Sequence, residues 1–226
     1  MNHKAERRRS LVPSVDEGRF VSDIYQNDTN RLILGRLLAC GLKDAWLVAG
    51  CLFQTVWNVQ TGRPPHENIQ DYDIFYFDNS DLSAESEKRT NERVSALLGA
   101  GTSFRVDLCN QARVHLWYGN HFGGEDYAPL QTSHEGVDRF LINCTRVGVQ
   151  PNGAESLRVY APCGFEELYE GGLSANPANH RPSLFEAKVK SYQARWPWLT
   201  PINVTSGSAS PEQLSSLNDR CSYVQA

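Results

Sequence analysis

Two aspartates, Asp71 and Asp73, open a short run of strand-forming residues that ends at Phe77. In an extended strand, residues i and i+2 point to the same face, at a separation of roughly 6–7 Å. Two carboxylates held that close repel each other unless a positive charge lies between them. Mg²⁺ meets that need, because it binds one or two carboxylates together with substrate phosphates. From the pair alone, the alternative is a solvated turn at the start of the strand.

Two further features fit a site for metal and phosphate. Gly50 lies between an apolar strand predicted at 45–49 and a helix predicted at 51–59, where phosphate can approach the free N–H groups of the helix N-terminus. The alternative is an ordinary strand-to-helix turn. Asp107 lies in an alternating segment, where the alternative is a surface position on a half-buried strand. If its strand lies beside that of Asp71 and Asp73, the three carboxylates suit two metals about 3.5–4 Å apart.

The elements that must position these residues follow from the hydrophobic pattern. Helices and strands alternate through the first half of the chain: helices at 30–40, 51–59 and 83–98, and strands at 45–49, 71–77 and 103–109. A smaller mixed part follows, with a hairpin formed by 144–150 and 157–161 and a last helix at 183–195. This order predicts an α/β (α+β) fold, in which a short mixed sheet is flanked by helices and a small C-terminal annex contains a hairpin.

Composition divides the chain into three parts. Residues 1–27 are expected to be a polar tail or extension. Residues 28–202 are expected to form one domain, with a core at 28–122 and an annex at 123–202. The Ser-rich residues 203–226 are expected to be disordered.

Charge and cysteine usage bound the class of protein. The net charge of −4 argues against a protein that grips long nucleic acid, so no stable nucleic-acid complex is expected. No apolar run approaches the ~18–20 residues of a membrane helix, so no membrane partner is expected. The six cysteines include no C-x-x-C pair, which favours a reduced, cytoplasmic protein.

The pattern of Gly50-Cys51, Asp71-Tyr72-Asp73 and Asp107 resembles the nucleotidyltransferase (polymerase-β-like) superfamily. Over roughly residues 30–200 the chain resembles, more closely, a family of small predicted nucleotidyltransferases. That likeness rests on Gly62-Arg63-Pro64-Pro65, on Arg195-Trp196-Pro197 and on the run Asn-Gln-Ala-Arg-Val-His-Leu-Trp-Tyr at 110–118. The chain departs from the pattern at Cys51, which lacks a hydroxyl, and in the long segment between Cys51 and Asp71.

The resemblance implies transfer of a nucleoside monophosphate from an NTP to an unknown acceptor, with release of pyrophosphate and with Mg²⁺ (or Mn²⁺) as cofactor. It implies that Asp71 and Asp73 hold both metals. Asp107 would hold the catalytic metal and help to deprotonate the acceptor. Gly50, with the helix that starts at Cys51, would bind the β,γ-phosphates.

Further substrate-binding candidates lie in a loop and in a helix predicted just after Asp107. On an α-helix, residues 111 and 115 share one face and residues 110 and 113 another. The alternatives are that Arg113 forms a structural ion pair and that His115 occupies a position in the core. Arg63, in the Pro-rich loop, is a weaker candidate for the triphosphate. The helix candidates are Asn110, Gln111, Arg113 and His115.

Two other functions fit the same residues. A metal-dependent phosphohydrolase would use the same carboxylates with water as acceptor. A non-catalytic nucleotide-binding domain of the same fold is the other alternative, and Cys51 is the feature that points to it. The sequence does not decide among the three.

Overall fold

A five-stranded mixed sheet forms the centre of the fold. The computed structural model describes residues 16–99, 104–119, 127–153, 156–179 and 181–202. The strand order is β3-β2-β1-β4-β5. The bounds are β1 Trp46–Val48, β2 Tyr72–Tyr76, β3 Val106–Asn110, β4 Gly148–Pro151 and β5 Leu157–Tyr160.

The register of this sheet places the chemistry-bearing residues side by side. β1 and β2 are antiparallel, with Val48 opposite Asp73. β2 and β3 are parallel, with Asp73 opposite Asp107. The hairpin strands β4 and β5 join the same sheet, because β4 pairs with β1. A separate two-stranded parallel sheet consists of β6 (Gly172–Ser174) and β7 (Thr200–Ile202).

Helices cover this sheet. The α-helices of the described residues are α1 Glu17–Ile24, α2 Asp28–Leu37, α3 Gly50–Gln60, α4 Ala84–Leu98, α5 His134–Val137, α6 Glu166–Glu170 and α7 Pro182–Arg195. Short 3-10 helices span Leu38–Cys40, Gln111–Leu116 and Asn143–Thr145. Their ends follow from local chemistry. For example, the Ser83 hydroxyl accepts a hydrogen bond from the Ser86 N–H at the start of α4, and Gly99 ends that helix at a φ of 76°.

An aromatic cluster joins α3 to α7. The Trp57 ring lies 4.8 Å from Phe53, 5.2 Å from Tyr192 and 5.3 Å from Trp196, centroid to centroid. All four side chains are fully buried. The indole N–H of Trp196 also donates to Asn58 Oδ1 at 2.8 Å. Because burial of large aromatic side chains dominates core energetics, this cluster fixes α7 against α3.

The fold class predicted from the sequence is confirmed, but the predicted tail is wrong for residues 17–24. These residues form α1, which the Asp16 side chain caps by accepting from the Arg19 N–H. Phe20 and Ile24 are fully buried in the core. Residues 1–15, the core–annex boundary at 122 and the predicted disordered end at 203–226 lie outside the described residues.

No helix in the described ranges combines the length and the apolarity that crossing a membrane requires.

Candidate active site

Three carboxylates meet at one edge of the sheet. Asp71 directly precedes β2, Asp73 is the second residue of β2, and Asp107 is the second residue of β3. Asp71 and Asp73 are buried, with 6% and 3% of their surface exposed. The Asp107 side chain is 25% exposed. The structure therefore brings the three sequence-predicted aspartates together, with Asp107 nearest to solvent.

Arg105 links two of these carboxylates. Its Nη2 donates to Asp71 Oδ2 at 2.7 Å and to Asp107 Oδ2 at 3.0 Å. Burial acts to lower the pKa of Arg105, but the charges of Asp107 and Asp71 outweigh it and raise that pKa. Burial, opposed by Arg105 and assisted by the charge of Asp71, raises the pKa of Asp107. Sequence reasoning missed Arg105, although its position two residues before Asp107 was a signal.

Helix α7 adds two cations. Lys188 is partly buried, and its Nζ lies 5.5 Å from the centre of the Tyr192 ring. Burial, and secondly the charge of Arg195, hold the pKa of Lys188 well below its usual range, while Asp73 and Asp71 act in the opposite direction. Burial also lowers the pKa of Arg195, opposed by Tyr192 and Asp71. The field of the carboxylates therefore reaches α7.

These α7 residues recur at spacings of four and three, which places them on one helix face. The Arg195 guanidinium carbon lies 5.3 Å from the Tyr192 ring and 4.7 Å from the Trp196 ring. Such stacking holds a cation in place without pairing it to an anion. The sequence analysis named Arg195 only as part of a family likeness and did not identify Lys188, although the helical spacing was visible.

The junction between β1 and α3 lies beside Asp73, because Val48 and Asp73 are partners in the sheet. Ala49 has a φ of 65° and a ψ of −143°, a conformation that favours glycine. Gly50 begins α3, and a Cβ at this position would lie 2.7 Å from Gln54 Nε2. The absence of a side chain at Gly50 therefore allows Gln54 to pack closely against this backbone, whether or not a ligand also binds here.

Cys51 contributes its backbone and not its side chain. The thiol is fully buried, and Sγ donates to the carbonyl of Val48 at 3.2 Å. Burial first, and the nearby charge of Asp73 second, raise the pKa of this thiol well above its usual range. A side chain that faces the interior does not contact a phosphate, so only the N–H groups at the start of α3 remain for that role.

Arg63 lies against the end of α7. Its Nη1 donates to the carbonyl of Arg195 at 2.6 Å and lies 3.7 Å from Glu67 Oε1. Neither of these partners is one of the three aspartates. Its contacts secure the Pro-rich loop to α7.

Asn110 and Arg113 lie away from the carboxylates. Asn110 accepts from the backbone N–H of Asp78 at 3.0 Å and donates to the Asp78 carbonyl at 2.8 Å. Arg113 donates through Nε to the Leu82 carbonyl at 2.8 Å and pairs through Nη1 with Glu87. Asn110 is three residues beyond Asp107, or about 10 Å along β3. The Asn110 side chain therefore joins the end of β3 to the segment after β2. Arg113 joins the turn after β3 to the first turn of α4.

Gln111 and His115 do not share the predicted face. The segment forms a 3-10 helix with three residues per turn, so the expected i, i+4 alignment is wrong. Gln111 is fully buried, and neither polar atom of its side chain has a hydrogen-bond partner among the described residues. The Nδ1 of His115 is also buried without one. The structure does not bring either residue together with the aspartates.

The donor chemistry of the site suits a hard cation. Within the described ranges, no group of three or more His, Cys, Asp or Glu side chains is arranged as a ready metal site. A guanidinium nitrogen of Arg105 lies between Asp71 and Asp107. Its side chain is 60% exposed, so it can rotate outward without disturbing the core. By their chemistry, the carboxylate oxygens of the three aspartates are ligands that Mg²⁺ and Mn²⁺ prefer.

Known proteins resemble this chain in sequence and in fold. The sequence matches a family model described as "Nucleotidyltransferase" over residues 36–201. No curated protein matches it. One similar solved structure is described by the words "The NMR structure of the protein reveals a CCA-adding enzyme head domain". It superimposes with a TM-score of 0.67 at 22% identity, covering 83% of this chain and 96% of that one, which shows a shared fold. The resemblance noted in the sequence is confirmed, and the chain belongs to the nucleotidyltransferase family.

Proposed function

We propose that the protein is a metal-dependent enzyme that moves a nucleoside monophosphate from an NTP to an acceptor and releases pyrophosphate. The observation that carries this proposal is the meeting of Asp71, Asp73 and Asp107 beside the N-terminus of α3. Family membership supports nucleotidyl transfer in general. The metal, the triphosphate donor and the roles of single residues are our inference from the site.

The three aspartates are the residues that would hold the metal. Bound there, Mg²⁺ or Mn²⁺ would neutralise charge on the triphosphate and favour attack by the acceptor oxygen. Asp71 and Asp73 are buried and fixed at the start of β2, which suits ligands that must keep their position. Asp107 is more exposed and lies on the neighbouring strand, which suits the side from which an acceptor arrives.

The cations and the helix start would receive the phosphates. The N-terminal N–H groups of α3 and its positive dipole end stabilise negative charge. Lys188 and Arg195 add positive charge from α7, where the field of Asp71 already acts on both. The contacts of the Phe53 and Trp57 rings with Tyr192 hold α7 against α3, which supports a shared site for these groups. Arg63 would act indirectly, through its bond to the Arg195 carbonyl.

The transfer would proceed as one displacement. A bond forms between the acceptor oxygen and the α-phosphorus, while the bond from that phosphorus to the α,β-bridging oxygen breaks. The electron pair of the broken bond leaves with pyrophosphate. The acceptor proton passes to an Oδ of Asp107 and then to water. Lys188 and Arg195 would stabilise the charge that grows on the leaving pyrophosphate.

Thermal unfolding with Mg²⁺ and each NTP tests the proposal. At a ligand concentration of 100 times Kd, one-site binding adds about 2.7 kcal/mol to the free energy of unfolding. For a chain of this size that corresponds to a rise in Tm of about 5–11 °C. The rise should vanish in the double variant Asp71→Asn/Asp73→Asn. It should persist in Asp78→Asn, a control that removes a carboxylate bound to Lys43 and Ser80.

The products distinguish the proposal from its alternatives. With NTP labelled at the α-phosphate, we expect transfer of label to an acceptor and equimolar pyrophosphate. Orthophosphate as the first product would instead establish a phosphohydrolase. Metal-dependent NTP binding with no turnover across hydroxyl, phosphate and protein acceptors would favour a binding domain. A folded wild-type protein that no NTP stabilises would contradict the proposal.

A further inference from the structure

Arg105 joins the carboxylates of two different strands through one nitrogen. Its Nη2 lies 2.7 Å from Asp71 Oδ2 and 3.0 Å from Asp107 Oδ2. The backbone at this position is fixed, since the Arg105 carbonyl accepts from the Tyr72 N–H at 2.9 Å. The anchored backbone and the charge-assisted hydrogen bonds place a cation between these two carboxylates.

Asp71 and Arg105 differ in how easily each side chain can move away from the other. The Asp71 side chain is only 8% exposed, so leaving its carboxylate without a positive partner would be costly. The Arg105 side chain is 60% exposed, so its guanidinium can move into water at little cost. The α7 cations contrast with it, because Lys188 is partly buried and Arg195 is stacked on the Trp196 ring. Of these three cations, Arg105 is thus the one that another cation can most easily replace beside the carboxylates.

We propose that Arg105 is a displaceable internal counter-ion that competes with a divalent cation for Asp71 and Asp107. The inference rests on the proposed metal function of these aspartates. A metal that binds these carboxylates would displace the Arg105 guanidinium from between them, so the free energy of breaking both hydrogen bonds would be subtracted from metal binding. Arg105 therefore lowers the metal affinity of the site and keeps the paired carboxylates neutralised until a metal arrives.

Calorimetric titration of the nucleotide-free protein with Mn²⁺ tests this competition. The variant Arg105→Gln should bind Mn²⁺ about three- to tenfold more tightly than wild type, as expected for loss of a largely exposed ion pair and its hydrogen bonds. Arg105→Lys retains a cation with N–H donors and should stay near the wild-type Kd. Arg195→Gln is the matched control: it also removes one positive charge, but among the described residues the Arg195 guanidinium donates to Ser191 and not to a carboxylate. Its change in Kd should be clearly smaller.

A second measurement uses the wild-type protein, so it does not depend on a variant that folds. The side-chain N–H signals of Arg105, followed by ¹⁵N NMR, should exchange slowly with water before Mg²⁺ is added. They should exchange rapidly once the metal saturates the site.

The possible outcomes distinguish the role of Arg105 from the existence of the metal site. Equal Mn²⁺ affinity in wild type and Arg105→Gln, or an unchanged Arg105 signal at saturation, overturns the counter-ion inference and leaves the carboxylate site standing. An effect of Arg195→Gln as large as that of Arg105→Gln also overturns it, because general charge would explain both. Failure of every folded variant to bind Mn²⁺ overturns the inference and the metal site together.

Discussion

Replacing Arg113 with methionine tests whether this residue stabilises the fold or contacts substrate. The Arg113 and Glu87 side chains are 11% and 17% exposed, and they form an ion pair. Arg113 also donates to the Leu82 carbonyl, and Glu87 Oε1 accepts from the Asn110 N–H at 2.9 Å. The variant Arg113→Met removes the cation and leaves a mostly buried carboxylate without its charge partner.

The expected loss of stability follows from that unpaired carboxylate. Breaking a buried ion pair by removing one partner costs about 3–5 kcal/mol. At about 2–4 °C per kcal/mol for a chain of this size, the Tm should fall by about 6–20 °C. The double variant Glu87→Gln/Arg113→Met should recover much of that loss, because its neutral amide still accepts from the Asn110 N–H and carries no buried charge.

The assay combines unfolding with ligand binding. Tm is measured for wild type, the single variant and the double variant, each with and without Mg²⁺ and a saturating NTP. We expect the ligand-induced rise in Tm to be the same in all three proteins, because Arg113 lies in the 3-10 helix that follows β3, beyond the end of the strand that is farther from Asp107. A single variant with wild-type Tm that has lost the ligand-induced rise would refute the structural role and restore Arg113 as a substrate contact.

Two further predictions concern other positions. The variant Cys51→Ser should keep the wild-type rise in Tm with Mg²⁺ and NTP, because Sγ faces the core and bonds to the Val48 carbonyl; a gain of several-fold in NTP affinity would show instead that this side chain reaches the phosphate. Hydrogen bonds from Ser80 and Lys43 lower the pKa of Asp78 to about 2 in the folded protein. The ionised Asp78 should therefore contribute its full stabilisation above the unfolded pKa of about 3.9. That stabilisation should be lost as the pH falls toward 2. The difference in free energy of unfolding between wild type and Asp78→Asn, measured by urea titration, should therefore shrink across that interval, and a difference that stays constant would contradict the assigned contacts.

The elements with a strong local pattern were predictable. The strand expected at 45–49 is β1 at Trp46–Val48, and the helix expected at 83–98 is α4 at Ala84–Leu98. Continuous apolar character and helical spacing are local properties of the sequence, so they predict these elements without knowledge of the tertiary contacts. In contrast, α1 was missed although Phe20 and Ile24, both buried in the core, are four residues apart as on one face of a helix.

The grouping of the three aspartates was predictable where it depends on spacing within one strand or on a plain alternation. Asp71 and Asp73 are two residues apart, and Asp107 lies opposite Asp73 because β2 and β3 are parallel neighbours. The cations were harder, since the place of Lys188 depends on how α7 packs on α3 across more than a hundred residues. The segment after β3 was misjudged because its tight 3-10 turn has a different period from the expected α-helix.

The aromatic contact between α3 and α7 has a consequence for synthesis on the ribosome. Trp196 bonds to Asn58, 138 positions earlier in the chain, and Lys188 and Arg195 arrive with the same late segment. Growing chains fold from the N-terminus, and distant contacts form slowly. Until α7 emerges, the nascent chain carries its acidic residues without these two α7 cations and exposes the rings of Phe53 and Trp57. Helix α7, which begins where about the last fifth of the chain starts, thus completes this part of the hydrophobic core and brings the two cations. We therefore expect an early stop before residue 182 to leave a chain that is prone to aggregate.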